Sequence, residues 1–341
     1  MTTRKVKSSQ ADKLFTEFAN PKSPGAAVMV IQNRKLIYRK TFGYANLEDK
    51  IPITPSTNFR LASFSKQFTA MAISILIDRK LVSLDTRLTD IFPSFPKYGN
   101  KITVRQLLHH TSGILDYETL IPKRTTIPLL DRDVLWILEQ QHKTYFPPGT
   151  KWRYSNSGYA LLAVIVEQVS GLTFPAFMKQ HIFNPLGMKH TMLNERGTLH
   201  IPNQAFGYSP IAKNSPGFKR TDQSLTSYVV GDGGIYSSLN DLYLWDQALY
   251  TTMLVSRKMM KQIFTPGVKT TRPGNPSYGF GWFIGKYRGN RMIWHKGSSI
   301  GFTTMIKRFP DQKFSVIMLT NRNTANVDEI TQLIIDRHLF Y

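Results

Sequence analysis

Leu61-Ala62-Ser63-Phe64-Ser65-Lys66 is the stretch on which the reading of this chain turns. Apolar residues recur at Phe64, Phe68, Met71, Ile75 and Leu76. A spacing of roughly 3.6 residues predicts an amphipathic helix from Phe64 to Lys80. Ser63 then stands where the helix begins, and Lys66, three residues on, shares its face. A serine hydroxyl is a weak nucleophile until a base takes its proton. A lysine serves as that base when burial or a neighbouring positive charge leaves it partly neutral. Free N–H groups at a helix start favour the negative charge that develops in acyl transfer. By itself Ser-x-x-Lys reads first as an ordinary helix cap followed by a solvated lysine.

Two further elements follow in the chain. Pro148-Gly149-Thr150 signals a turn, Lys151-Trp152-Arg153-Tyr154 reads as extended, and Asn156-Ser157-Gly158-Tyr159 opens a helix closed by Gly171. Tyr154 and Asn156 thus sit at a loop-to-helix edge. A phenol there can relay a proton, and an amide can contact a substrate carbonyl or hold Lys66; a buried tyrosine and an Asn helix cap are the plainer alternative. The third element ends a strand. Tyr278 to Ile284 and Arg291 to His295 read as neighbouring strands joined by Tyr287-Arg288-Gly289-Asn290, and His295-Lys296-Gly297-Ser298 closes the second. Gly297 permits close approach of a ligand to the strand. The Ser298 N–H can pair with that of Ser63 as an oxyanion hole. A strand with a glycine bulge and a surface histidine would look the same.

Taken in order, Ser63-Phe64-Ser65-Lys66, Tyr154-Ser155-Asn156 and His295-Lys296-Gly297 resemble the serine beta-lactamase and penicillin-binding superfamily, in its class C-like branch. That branch includes D,D-carboxypeptidases, D-aminopeptidases and esterases. The resemblance extends through Phe59 to Ser63, Leu107 to Ile114, Pro148 to Gly171, Ile182 to Met188 and Gly233 to Ser238. It implies Ser63 as the acylated nucleophile, Lys66 as its base or proton shuttle, and Tyr154 as a proton-transfer partner. Asn156, His295, Gly297 and Ser298 would contact the substrate. It implies a small peptide, ester or beta-lactam substrate, no metal and no other cofactor. His295 stands where the lactamases carry a lysine, and Lys296 where they carry a threonine. A cation on this strand would depend on His295, near neutrality at an unperturbed pKa of about 6.5. Alternation turns Lys296 to the opposite face, and leaves Ser298 to supply a hydroxyl. Efficient antibiotic hydrolysis is therefore less favoured than peptide or ester hydrolysis, and the alternatives are a weak class C-like beta-lactamase or a non-catalytic binding or scaffold protein with this fold.

The chain has 341 residues, 41% hydrophobic and 19% charged, which fits a globular protein with a sizeable core. No apolar run approaches the roughly 18 residues of a membrane span. Met1 to Gln10 is basic and polar, without a signal-peptide core; the resemblance nevertheless favours a periplasmic or extracellular setting. Zero cysteines exclude disulfides and thiol catalysis. Adjacent His109 and His110 do not face one another on a helix and make no metal motif. A net charge of +22 favours an anionic surface or wall polymer as a partner. No nucleic-acid module accompanies it, and basic groups such as Lys123-Arg124 and Lys307-Arg308 are scattered, as on a generally basic surface.

Strands are expected at Ala26 to Ile31, Leu36 to Ala45, Tyr278 to Ile284, Met292 to His295, Thr303 to Phe309 and Phe314 to Thr320, with helices dominating between and a last helix at Val327 to Leu339. Thr103 and Ser238 read as helix N-caps. This pattern implies an α/β (α+β) protein, and the resemblance implies a beta-lactamase/transpeptidase-like fold. An antiparallel sheet built from both chain ends (roughly 1–62 plus 270–341) is flanked by helices, and a mostly helical region (roughly 63–269) stands beside it. Long loops at Ile201 to Tyr228 and Thr265 to Pro276 would rim the cleft between them, near a glycine-rich turn at Gly231-Asp232-Gly233-Gly234.

Overall fold

A computed structural model describes residues 11–20, 22–194, 200–212 and 217–341. Two strands near the start of the chain, β1 (Ala26–Gln32) and β2 (Lys35–Phe42), join six from its end. These are β3 (Val268–Lys269), β4 (Ser277–Tyr278), β5 (Phe283–Tyr287), β6 (Asn290–Ser299), β7 (Phe302–Phe309) and β8 (Phe314–Thr320). The sheet order is β3-β4-β5-β6-β7-β8-β1-β2, and every pairing is antiparallel. Ala26 lies opposite Thr320, so the two chain ends are stitched side by side, as the sequence predicts.

The predicted strand Tyr278 to Ile284 is broken. Gly281 adopts a φ of +77° and Gly279 N–H bonds back to the Trp282 carbonyl, which makes a turn between β4 and β5. β6 runs on to Ser299, four residues beyond His295. The hairpin between β5 and β6 has two central residues, Arg288 and Gly289, both at positive φ, the turn whose twist matches the strands it joins.

Both faces of the sheet are covered, giving three layers. On one side lie a 3₁₀ helix (Lys13–Phe18) and the last α-helix, packed with Val28, Val30, Phe314, Val316 and Met318. The other face carries the larger core. Its longer helices are α1 (Lys66–Asp78), α2 (Val104–Leu108), α3 (Asp131–Glu139), α4 (Asn156–Ser170), α5 (Phe174–Met178), α6 (Leu239–Ala248) and α7 (Arg257–Ile263); α8 (Val327–Ile335) is that last helix on the opposite face. Thr103 and Ser238 cap α2 and α6 through their hydroxyls. Among the described residues no single helix is long and apolar enough to cross a membrane.

Two expectations fail here for one reason, enclosure by distant segments. α1 is not amphipathic in use: Lys66 to Leu76 are all buried, and Phe68 stacks on Trp245 with centroids 4.1 Å apart. Lys307-Arg308 is not surface charge, because β7 is buried along its whole length. Arg308 instead pairs with Asp246 at 2.7 Å, both side chains 1% exposed, and Ser315 Oγ donates to the same carboxylate oxygen.

Candidate active site

Ser63 sits in a bend rather than at a plain helix start. Phe59–Arg60 pairs with Ile235–Ser237, Ala62 turns to a φ of +51°, and a 3₁₀ turn (Ala62–Ser65) leads into α1. A non-glycine residue in that region stores strain, which surrounding contacts must hold. Three do so. Leu61 N–H donates to the Ile235 carbonyl at 2.8 Å. Thr304 Oγ1 of β7 donates to the Leu61 carbonyl at 2.7 Å. Ser65 Oγ accepts from Ile235 N–H at 3.3 Å.

Lys66 is fully buried. Its Nζ lies 3.2 Å from Ser63 Oγ, 2.8 Å from Asn156 Oδ1 and 2.7 Å from the Asp232 carbonyl oxygen. It also stands 5.0 Å from the ring centre of Tyr154. Asn156 opens α4 behind the cap Ser155, whose Oγ accepts from Gly158 N–H. Its Nδ2 donates to Glu118 Oε1 at 2.8 Å, so the amide is fixed with its oxygen toward the lysine. The Tyr154 hydroxyl makes no hydrogen bond among the described residues. His110 holds the segment, since its carbonyl accepts from Arg153 N–H and its Nδ1 from Ser155 N–H.

The glycine-rich turn supplies its backbone to the lysine and its side chain to the cleft. Asp232 Oδ2 accepts from the Tyr117 hydroxyl at 3.1 Å. Burial pushes its carboxyl up to about 6, against the pull of Lys66. Asp131, buried behind it, accepts from Val230 and Gly231 N–H at 2.9 and 3.0 Å and so pins the turn.

On β6 the outcome departs from the expectation. His295 is 1% exposed. Its Nδ1 bonds to the Lys296 carbonyl at 2.8 Å, and a carbonyl only accepts, so that nitrogen carries the proton. The Tyr278 hydroxyl then donates to Nε2 at 3.0 Å. Burial, helped by the charge of Lys66, takes the imidazole down to about 3, so His295 is a neutral strut and not a cation. Lys296 faces away, as predicted, bound to Asp328 at 2.8 Å. What approaches Gly297 is the chain itself: a Cβ there would stand 2.0 Å from the Leu61 oxygen and 2.3 Å from Thr304 Oγ1. Ser298 lines the cleft but is exposed, on the same alternation as Lys296. The buried hydroxyl belongs to Ser299, whose Oγ has no partner among the described residues.

Ser63, Tyr117, Glu118, Asn156, Asp232 and Ser299 line a cleft of about 250 Å³, together with Arg60, Ser227, Ser298 and neighbours. Both long loops reach the site. Ser224, Thr226 and Ser227 line the cleft, and the Arg272 guanidinium stands 5.6 Å from the Tyr154 ring. Part of the first loop, 213–216, lies outside the described residues. Such a set can take a proton from a serine, receive an oxyanion on backbone N–H groups and hold a small polar substrate.

Known proteins resemble this chain over most of its length. A penicillin-binding protein of Bacillus subtilis (strain 168) is 31% identical over 96% of this chain and 75% of its own length. A D-aminopeptidase of Gluconobacter oxydans (strain 621H) is 28% identical over 89% of this chain, which spans only 56% of that enzyme. The solved octameric penicillin-binding protein homologue from Pyrococcus abyssi superposes with a TM-score of 0.86 at 26% identity, over 96% of this chain and 76% of that one. The beta-lactamase family profile matches residues 11–338, and the chain belongs to that family.

Proposed function

We propose that the protein is a serine hydrolase that works through a Ser63 acyl-enzyme on small amide or ester substrates. The acceptors around Lys66 carry this reading. Asn156 Oδ1 and the Asp232 carbonyl accept and cannot donate. They hold Lys66 Nζ 3.2 Å from Ser63 Oγ, to which it donates, so the lysine stands where, once it has given up a proton, it can receive the one on Ser63.

Ser63 Oγ attacks the substrate carbonyl carbon as its proton passes to Lys66 Nζ. The N–H groups of Ser63 and Ser298 receive the oxyanion. The C–N or C–O bond breaks, and the leaving atom takes the proton from Lys66 by way of Tyr154. Water then attacks the acyl ester, passes a proton to Lys66, and the C–Oγ bond breaks as Oγ regains a proton.

Glu118 favours substrates carrying an ammonium group, because its carboxylate is exposed and lines the cleft; the name D-aminopeptidase among the relatives points the same way. The neutral His295 and the engaged Lys296 weigh against efficient beta-lactam hydrolysis. The test is hydrolysis of p-nitrophenyl acetate by wild type and Ser63→Ala. Turnover that disappears with the hydroxyl supports the reading, and turnover that persists in Ser63→Ala sinks it.

A further inference from the structure

We propose that a second pocket, apart from the catalytic cleft, binds a small phosphate monoester with an apolar body. The pocket measures about 640 Å³, within the roughly 300–1,000 Å³ typical of ligand sites. It shares no lining residue with the cleft, and the inference stands apart from the hydrolase reading. Its walls are α7, the segment 249–252 that follows α6, and the start of β6.

Three cations meet here. Arg257 and Lys261 stand four residues apart on α7, so they share a face and repel. Arg291 enters from β6, four residues before His295. No acidic side chain lines the pocket among the described residues, and neither Arg257 nor Lys261 has a carboxylate partner among them. The Arg291 guanidinium, part-buried, donates one N–H to the Phe264 carbonyl at 2.5 Å, a neutral acceptor. The acids of adjoining elements are engaged elsewhere. Asp78 accepts the N–H and the hydroxyl of Ser256 at 2.7 and 2.6 Å. Asp246 pairs with Arg308, which stands 4.5 Å from the ring centre of Tyr250 on the pocket wall. Positive charges gathered without a counter-ion repel one another, and a bound anion relieves that repulsion.

The number of cations selects the anion. A carboxylate offers one charge and two oxygens, which a single arginine fork fills. A phosphate monoester brings a charge of about −1.5 to −2 and three acceptor oxygens, enough to engage all three side chains. The rest of the wall selects the body. Leu249, Met260 and Phe264 line the same pocket, and a small apolar group attached to the phosphate would take that surface out of water. Inorganic phosphate alone would leave it wet.

The experiment is calorimetric titration of the full chain with phenyl phosphate, inorganic phosphate and phenol, at physiological salt. Phenyl phosphate is expected to bind wild type about 10-fold more tightly than either of the others. Arg257→Gln combined with Lys261→Gln should weaken it about 10- to 100-fold. Lys35→Gln, which removes an exposed cation elsewhere, should leave it unchanged, and so should Ser63→Ala. Diffuse attraction to a chain of 44 Lys and Arg would survive the loss of two, so undiminished binding in the double variant overturns the proposal. Equal affinity for inorganic phosphate, or no binding of phenyl phosphate, overturns it without any variant. Binding that disappears in Ser63→Ala would place the ligand in the catalytic cleft and overturn it as well. Arg257 and Lys261 are exposed; should their double variant still fail to fold, unchanged binding in Arg291→Gln sinks the proposal instead.

Discussion

His110 Nδ1 accepts the backbone N–H of Ser155 at 3.1 Å, and Ser155 is the residue between Tyr154 and Asn156. The same ring packs on Tyr154, Tyr159 and Tyr278 with centroids 4.4, 5.0 and 4.6 Å away. His110 thus sets where Tyr154, the proposed proton relay, and the amide facing Lys66 can stand. His110→Ala is expected to lower kcat about 100-fold, the cost of misplacing reacting groups by about 1 Å, with a smaller change in KM. His110→Gln, whose amide oxygen can accept, should recover part of it; steady-state kinetics of the three proteins check this.

Lys66→Ala removes the proposed base and leaves the Asn156 oxygen and the Asp232 carbonyl without their donor. Acylation should slow by about 10²- to 10⁴-fold. Rapid-mixing measurement of the first turnover reads that step directly, and an added primary amine should restore part of the rate.

The pH dependence of stability carries two opposite signatures. Folded His295, at about 3, binds fewer protons than the unfolded side chain near 6.5. Its contribution is present above 6.5 and is lost as pH falls toward 3. The deficit of His295→Gln at pH 7.5 should therefore shrink at pH 4.5, by at most about 3 kcal/mol. Asp232, raised to about 6, keeps its proton when folded, so its contribution is lost as pH rises from 4 to 6. Asp232→Asn should move the other way. Urea unfolding at the two pH values separates them.

Gly297→Ala forces a methyl into the Leu61 carbonyl and Thr304 Oγ1. Overpacking of this kind costs about 1–3 kcal/mol, and here it displaces the Ser63 bend. Gly289→Ala is the comparison, for it meets nothing within 4 Å and pays only for its φ of +77°, roughly 1 kcal/mol. Both should lower Tm, but only Gly297→Ala should also lose most of the ester hydrolysis.

Asp246→Ala leaves the Arg308 guanidinium buried and unpaired behind the sheet. A loss of about 3–5 kcal/mol is expected. Replacing both residues by apolar ones should cost less than the single change, and guanidinium-chloride unfolding decides between them.

The residues that met the sequence reading are those whose partners are local or whose chemistry is distinctive. Ser63 and Lys66 are three apart on one turn, and Asn156 was already a candidate to hold the lysine. His295 was misjudged because its neighbours are Tyr278, Tyr154 and Lys66, whose closeness no local pattern encodes. A charge state depends on burial, and burial here is assembled from three segments. The contribution of Asp232 to Lys66 is a backbone carbonyl, which leaves no trace in side-chain identity. Ser299 rather than Ser298 holds the buried hydroxyl because β6 runs to Ser299 and carries its alternation past Gly297. Lys307-Arg308 looked solvated for want of Asp246, more than sixty residues away.

The hydrogen bond from Thr304 Oγ1 to the Leu61 carbonyl also has a meaning in time. The nucleophile's bend is braced by a strand made some 240 residues later, and β1 finds its neighbour β8 only after Thr320 has been added. A chain still emerging from the ribosome carries Ser63 and Lys66 but lacks the brace that shapes them. Its hydrolytic power would be switched on late in synthesis, when the final strands close the sheet.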